Sequence, residues 1–268
     1  MRGSDVRARL GRLPKGLTGT YNEIINTIKS QPECNFELAI RALKWMLVSK
    51  RPLKPSEFVA AAELNPSMPV GSCAPSQESA LEQLLQSCEG LLLLDTALNV
   101  VRFSHLSVQE YLETQNEIWD VSAIDAELFV SESCLWILQL SVELPLYEYA
   151  ARNWFHHCRS YQDLMLSGAN ANGAKHELRI PLLDSFLGSF KQPAASYVKW
   201  ADWVGDMVSS YDSLSCVRST PLYPAFSAAF SGLGQLVSSF WVSDGNDMNI
   251  NNTRGDSLLQ VASQYGTG

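Results

Sequence analysis

The stretch LLLLDTALNVVRFSHLSVQEYL, residues 91–112, interrupts a chain whose hydrophobic pattern is otherwise helical. Two short apolar runs, Leu91–Asp95 and Val100–Ser104, flank four turn-forming residues and predict a β-hairpin. Ser107 and Glu110 lie three residues apart at the start of the next apolar stripe, which predicts a capping box and a helix directly after the hairpin. The stretch therefore predicts a small antiparallel hairpin inside a mainly α-helical protein.

Amphipathic helices are predicted on the N-terminal side of the hairpin. An apolar stripe from Tyr21 to Ile28 follows a second capping box, Thr20 and Glu23. Further helices are predicted at residues 36–47, 57–64 and 76–88, and Gly90 is placed to end the last of them. Three or four helices followed by a hairpin is the element order of a winged helix.

The chain is again helical and rich in large apolar residues between residues 123 and 213. Six aromatic residues in this interval are predicted to lie in the core or between helices: Trp136, Tyr147, Tyr149, Trp154, Trp200 and Trp203. The Gly/Asn-rich interval Ser167–Gly173 is predicted to be a linker between two helical groups.

The C-terminal part contains an internal repeat. Pro224–Gly232 (PAFSAAFSG) matches the P-L-H-x-A-A-x-x-G pattern of an ankyrin repeat, and Leu258–Gly266 (LLQVASQYG) matches the same frame 34 residues later. Ankyrin repeats are about 33 residues long. Gly245–Asn249 and Gly255 stand where the turn of such a repeat belongs. The alternative is a pair of helices joined by a Gly/Asn-rich loop.

The second repeat stops at Gly268, before its second helix. Ankyrin helices do not bury their apolar faces alone. We therefore expect the apolar residues of the helix between the two repeat frames either to pack back on the helical connector at 121–218 or to remain partly uncovered. These residues are Leu236, Val237, Phe240 and Trp241. An uncovered apolar edge would promote association.

Composition indicates a folded protein with a polarised charge. The chain of 268 residues is 46% hydrophobic and 18% charged, and its net charge is −8. Residues 1–60 hold 11 basic and 5 acidic residues, a net charge of +6, so the remainder carries −14. The six cysteines are widely spaced without a CxxC pair, which indicates a reduced, cytoplasmic protein. Thr220–Ser243 is uncharged over 24 residues, but its five serines, two glycines and two prolines disfavour a membrane span.

Several motifs occur in order along the chain: LPKGL at residues 13–17, RPL at 51–53, VRFSHLSVQEYL at 101–112 and YAARNWFHH at 149–157. Together they resemble the region after the nucleotide-binding module in fungal NACHT-type STAND proteins, relatives of NOD-like receptors. In that family a winged-helix domain, often labelled after GPI inositol-deacylase, is followed by a helical segment and commonly by ankyrin repeats. The resemblance covers nearly the whole chain and implies a segment that couples a nucleotide switch to a repeat-built sensor.

The histidines are the first candidates for chemistry. His105 lies in the strongest motif, where it could act as a base or as a contact near nucleotide, but we favour a role in sealing the hairpin-to-helix junction. His156, His157 and Cys158 are consecutive, and adjacent helical residues point about 100° apart, so they do not converge on one metal ion. Asp244–Asn249 lacks the ligand spacing of a calcium loop.

No catalytic or cofactor motif is present in the sequence. There is no GxxxxGK[ST] for nucleotide phosphates and no G-x-S-x-G elbow, so neither NTP hydrolysis nor the deacylase label is predicted as an activity. DNA binding by a winged helix with a basic N-terminal part is the main alternative. Against DNA binding, the candidate recognition helix at 77–88 carries Glu78 and Glu82, is followed by Glu89 and contains no Lys or Arg. We therefore favour the alternative that the basic face docks an acidic partner or is solvated.

The sequence thus predicts a mainly α protein with an N-terminal tail (1–9), a winged-helix domain (10–120), a helical connector (121–218) and the start of an ankyrin array (219–268). The predicted function is a non-enzymatic signalling scaffold without cofactor or metal. We expect a cytoplasmic protein that binds a protein partner and, in a longer protein, an upstream nucleotide-binding domain; nucleic acid and membrane are not expected partners. The resemblance places partner contacts on the ankyrin hairpin residues Asn249, Asn251, Thr253 and Arg254.

Overall fold

A computed structural model describes residues 15–64, 77–114, 122–140, 144–167, 180–189, 192–207, 224–241, 250–252 and 255–265. These residues form twelve α-helices and one two-stranded antiparallel sheet, so the protein is mainly α-helical, as the sequence predicts. The chain divides into two compact units, Met1–Ala126 and Glu127–Gly268.

The first unit is built around one central helix. Its elements are α1 (Lys15–Lys29), α2 (Glu33–Val48), α3 (Pro55–Glu63), α4 (Gln77–Ser87), β1 (Leu92–Asp95), β2 (Val100–Phe103) and α5 (Leu106–Thr114). Helix α2 contacts α1, α3, α4 and α5. Its residues Ala39, Ala42, Leu43 and Trp45 are completely buried, because they occupy the face that these neighbours share.

The predicted β-hairpin is confirmed. Strands β1 and β2 pair in the register Leu92 with Phe103 through Asp95 with Val100. The Asp95 carboxylate accepts the backbone N–H groups of Ala97 and Leu98, both at 3.1 Å, and forms an ion pair with Arg102 across the strands. These contacts hold the pKa of Asp95 below its ordinary value, so the carboxylate is ionised and closes the turn.

A one-residue strand joins the hairpin to the helices. Leu53, in the connection between α2 and α3, forms an antiparallel bridge with Val101, whose N–H donates to the Leu53 carbonyl at 2.9 Å. Both side chains are fully buried. This contact has no sequence signal, because a single bridging residue has no alternating pattern.

An ion pair fixes the same connection. Arg51 donates two hydrogen bonds to the Glu57 carboxylate, each at 2.7 Å, and the same carboxylate accepts the Lys54 N–H at 2.9 Å. Burial alone would raise the pKa of Glu57, but the bonds from Arg51 and Lys54 and their charges hold it below its ordinary value. Helix α3 therefore begins at Pro55 with a charged carboxylate in its first turn.

Both predicted capping boxes are wrong. Thr20 and Ser107 lie inside helices, since α1 is described from Lys15 and α5 begins at Leu106. The Thr20 hydroxyl donates to the Gly16 carbonyl one turn earlier, at 3.2 Å. A Ser/Thr followed three residues later by Glu occurs within helices as well as at their starts, because a hydroxyl can bond to the carbonyl four residues before it.

Helices are the regular secondary-structure elements of the second unit in the residues that the structure describes. Its helices are most of α6 (Ala123–Gln139), α7 (Tyr147–Leu166), α8 (Pro181–Leu187), α9 (Ala195–Met207), α10 (Pro224–Ser231), α11 (Gly234–Trp241) and α12 (Leu258–Tyr265). Of the six aromatic residues predicted to be internal, four are buried, namely Tyr147, Tyr149, Trp154 and Trp200. The other two, Trp136 and Trp203, are half-buried.

A cluster of aromatic rings forms the core of this unit. The Trp154 ring from α7 meets Phe186 of α8 at 5.1 Å and Trp200 of α9 at 5.4 Å between centroids, both edge to face. Gly188 lets α8 turn back toward α9. Its φ is +78°, and a Cβ there would lie 2.6 Å from the Ala194 nitrogen, so only glycine fits this turn.

The two buried indoles of this cluster allow a matched test of one hydrogen bond. Trp200 Nε1 donates to the Ala151 carbonyl at 2.9 Å, whereas Trp154 Nε1 has no partner among the described residues. Both Trp→Phe substitutions leave a cavity, but only Trp200→Phe also removes a hydrogen bond. We expect Trp200→Phe to lower the free energy of unfolding by about 1 kcal/mol more than Trp154→Phe. Guanidinium titration followed by far-UV circular dichroism measures the difference, and an equal or reversed order would contradict it.

Candidate protein-interaction site

Helices α10 and α12 carry the internal repeat seen in the sequence, and they pack against each other. Residues Leu258 and Val261 of α12 are 9% and 6% exposed, so one face of α12 is buried. Val261 corresponds to Ser227 of α10 after a shift of 34 residues. The Ser227 hydroxyl is hydrogen-bonded to the Tyr197 hydroxyl of α9. The same frame position is thus buried in both copies.

A second pair of equivalent positions, two residues before the first pair, differs between the two helices. Ala225 of α10 is 2% exposed, whereas its counterpart Leu259 on α12 is 79% exposed. Gln260, Ser263 and Gln264 on α12 are exposed as well. An apolar residue this open, at a position that is covered in the other copy, marks the face of α12 on which another element could pack.

A closed turn precedes α12. Asn252 accepts the Asp256 N–H on its side-chain oxygen at 2.9 Å and donates its own backbone N–H to the Asp256 carbonyl at 3.0 Å. Asn251 pairs with Ser257 in an antiparallel bridge, and Gly255 adopts a φ of +84°. Asn251 is exposed. Of the other predicted partner-contact residues, Asn249, Thr253 and Arg254 lie outside the described residues, as does the Asp244–Asn249 loop.

Helix α11 is bonded to α7, and two of its four apolar residues are buried, which for these two is the first of the outcomes expected from the sequence. Leu236 and Val237 are 1% and 5% exposed. Gln162 of α7 holds the start of α11, because its amide donates to the Gly232 carbonyl at 2.8 Å and accepts the Leu236 N–H at 3.2 Å. The side chains of Phe240 and Trp241 lie outside the description. A lone glutamine within a helix gives no sequence signal for this role.

A buried polar chain links α6 and α7. His157 Nδ1 lies 2.6 Å from the Glu127 carboxylate, and its Nε2 lies 2.9 Å from the Tyr149 hydroxyl. All three residues are buried, with His157 and Tyr149 completely so. Both ring nitrogens of His157 are therefore engaged within the protein. No group of three potential metal ligands exists among the described residues. Sequence analysis missed Glu127, which is 30 positions upstream on another helix.

Two cysteine thiols are buried and inert. Burial raises the pKa of Cys158 to about 12, and burial together with the charge of Glu89 raises the pKa of Cys88 to about 12. Since the thiolate is the nucleophile, neither residue supplies one near neutral pH.

His105 precedes α5 and bonds to its first turn. The Ser107 N–H donates to His105 Nδ1 at 3.1 Å, so that nitrogen carries a lone pair. The Ser107 hydroxyl lies 2.6 Å from the same nitrogen and 2.7 Å from the Tyr21 hydroxyl of α1. The ring thus performs the task of an N-cap side chain. Ser107 is 7% exposed and therefore poorly placed to attack a substrate.

The basic residues of the first unit are partly used in internal contacts. Arg51 is bonded to Glu57, and Arg41 donates to the Ala62 carbonyl at 2.7 Å and to Glu37. Helix α4 contains no Lys or Arg, and Glu82 on it is exposed. This helix therefore presents carboxylate rather than cationic side chains. No helix in the described part of the chain is long and apolar enough to cross a membrane.

A comparison with known proteins finds a distant relative. A protein of Monascus ruber, described as azaphilone pigments biosynthesis cluster protein L, is 26% identical over an alignment 172 residues long, and the alignment takes in 55% of this chain. The match spans 36% of that protein, so this chain corresponds to about a third of its length. No protein-family model matches the chain. No solved structure matches it either.

Substitution of His105 tests its role as a helix cap. Because asparagine is a good N-cap and alanine is not, we expect His105→Ala to lower the free energy of unfolding by about 1 kcal/mol and His105→Asn to restore most of that loss. Urea denaturation of both variants and the unaltered protein measures this. Equal destabilisation by Asn and Ala would contradict the capping role.

Proposed function

We propose that this chain is a non-enzymatic scaffold segment that binds a protein partner through an ankyrin-type surface at its C-terminal end. The observation that carries the proposal is the pair Ala225 and Leu259, equivalent positions of which one is covered and the other is open. A stack of repeats produces this pattern at its last helix, because each repeat covers the repeat before it and is itself covered by the repeat after it.

The order of elements in the first unit supports a winged helix at 10–120. The elements occur in the order α2, the bridging residue Leu53, α3, α4 and the hairpin β1–β2. Leu53 adds a third strand position beside Val101. In this arrangement α4 is the helix that a DNA-reading winged helix inserts into the major groove. Its carboxylates favour a protein contact over phosphate.

The frame of the two repeats supports ankyrin-type packing at 219–268. Ser227 and Val261 are both buried, and a turn closed by Asn252 and Asp256 leads into α12. Asn251, exposed on this turn, is the predicted partner contact that falls among the described residues. We place the partner surface on this turn and on the neighbouring face of α12.

A non-enzymatic role accords with the state of the candidate nucleophiles and bases. Cys88 and Cys158 are protonated thiols, His157 is enclosed between Glu127 and Tyr149, and His105 caps a helix. These residues are occupied in holding the fold. The M. ruber protein is named for a biosynthesis cluster, and that name states no reaction.

The resemblance to NACHT-type STAND proteins supplies the larger setting of the proposal. In such a protein a nucleotide-binding domain lies upstream of the winged helix and more ankyrin repeats follow α12, within a cytoplasmic receptor. The winged helix and the connector (121–218) then transmit the state of the nucleotide switch to the repeat surface.

Sequencing of the full-length transcript tests this setting directly. We expect the open reading frame to continue upstream through a GxxxxGK[ST] motif and downstream through further repeats of about 33 residues. In-frame stop codons on both sides of the codons for Met1 and Gly268 would contradict the receptor setting and leave a separate adaptor protein.

Fluorescence anisotropy with a random DNA duplex tests the alternative that the basic N-terminal part binds nucleic acid. We expect no saturable binding at low salt, because α4 presents carboxylates and Arg41 and Arg51 are engaged internally. Tight binding whose affinity falls steeply between about 50 and 200 mM salt would overturn the ranking in favour of a DNA-binding winged helix.

A further inference from the structure

Helix α10 ends in a sharp turn at Gly232, which adopts a φ of +70°. The Gly232 N–H donates to the Ala229 carbonyl at 3.3 Å. The Leu233 N–H donates to the Ala228 carbonyl at 2.9 Å. This bonding is the Schellman arrangement, which closes a helix by using its last carbonyl groups. The Gly232 carbonyl itself receives no backbone N–H in the described part of the chain.

Helix α11 begins without a capping side chain of its own. Leu233 precedes its first residue, Gly234, and accepts the Val237 N–H on its backbone carbonyl at 3.1 Å. A helix leaves its first N–H groups without partners, and a side-chain oxygen of the preceding residue normally accepts one of them. Leucine has no such oxygen. The Leu236 N–H in the first turn of α11 therefore needs an acceptor from another part of the chain.

Gln162 of α7 supplies both missing partners with one amide group. Its Nε2 donates to the Gly232 carbonyl at 2.8 Å, and its Oε1 accepts the Leu236 N–H at 3.2 Å. A carbonyl only accepts and an N–H only donates, so the orientation of the amide is fixed. Gln162 is 5% exposed. Loss of this amide would therefore leave a carbonyl and an N–H without partners in a largely buried place, which destabilises the turn.

Two further contacts join α10 to the preceding helices. The Tyr197 hydroxyl of α9 is hydrogen-bonded to the Ser227 hydroxyl at 2.5 Å, and the Phe155 ring of α7 lies 6.1 Å from the Phe230 ring between centroids. Helix α10 in turn contacts both α11 and α12. Since α11 and α12 both pack on α10, these three repeat helices form one packed group, which Gln162 attaches to α7 at the turn between α10 and α11.

We propose that the three repeat helices open from α7 as one cooperative unit and that Gln162 is the positioning residue that holds this unit closed. Proteins open locally in cooperative groups that often coincide with packed supersecondary motifs. The proposal deepens the proposed function, on which it rests for the location of the partner surface. It names the residue through which the helical connector controls the turn before α12 and the open face of that helix.

The test is native-state amide hydrogen exchange of the whole chain, followed by NMR. Gln162→Met keeps the length of the side chain but removes both hydrogen bonds. We expect it to accelerate exchange of the amides of α10, α11 and α12 about tenfold and to leave those of α6 and α7 unchanged. The decisive amides are those of Val261 and Ala262 on α12, because Gln162 makes no hydrogen bond to that helix. A cap with a purely local role would affect only the first turn of α11.

Two further variants complete the test. Gln139→Met removes an exposed amide that donates to the Leu135 carbonyl of its own helix, α6, and it should leave the exchange of the repeat helices unchanged. Ser227→Ala removes the bond to Tyr197 on another side of α10. It should accelerate the same amides as Gln162→Met, so it tests the shared opening even where Gln162→Met does not fold.

Three results would overturn the proposal. They are acceleration confined to the first turn of α11, equal acceleration in α7 and in the repeat helices, and no acceleration in either Gln162→Met or Ser227→Ala. The exchange measurement uses no partner protein. Its failure is therefore distinct from failure of the proposed function, which the transcript sequence and the DNA-binding measurement decide.

Discussion

The hydrogen bond from the Val101 N–H to the Leu53 carbonyl is the contact on which the first unit depends. It attaches the hairpin to the connection between α2 and α3, and it buries Leu53 and Val101 completely. An isolated two-stranded hairpin is at best marginally stable in water. The pairing with Leu53, supported by the Arg51–Glu57 ion pair beside it, gives β2 a second neighbour. The position of α5, which follows β2 after two residues, depends on the same contact.

Hydrophobic periodicity was sufficient to predict the hairpin and the helices, because both signals are local. The helix stripe from Tyr21 to Ile28 and the runs on either side of residues 96–99 match α1 and β1–β2. Periodicity does not determine where a helix begins. Thr20 and Ser107 have the spacing of caps but lie within helices, and the Nδ1 of an imidazole, which sequence rules do not rank among caps, receives the first-turn N–H of α5. Helix starts depend on contacts that spacing alone does not encode.

Long-range polar contacts were the part that the sequence could not supply. The run His156–Cys158 contains residue types that bind metals. The hydrogen-bond partners of His157, however, are Glu127 on α6 and Tyr149 two turns earlier on α7. Gln162 similarly bonds to residues 70 and 74 positions later. Each pair is defined by how helices pack, since the residues share no motif. The candidate interaction turn was predicted from the repeat frame, and one of its four proposed contact residues, Asn251, falls among the described residues.

Charge assigned from the sequence overstates the basic character of the N-terminal part. The net charge of +6 over residues 1–60 suggests an anionic partner. Arg51 is hydrogen-bonded to Glu57, and Arg41 is bonded to the Ala62 carbonyl and to Glu37. These two guanidinium groups therefore stabilise the fold. Formal charge counts paired and unpaired residues equally, whereas a partner contacts only the groups that the fold leaves exposed. The composition of the N-terminal part therefore does not by itself predict an anionic partner.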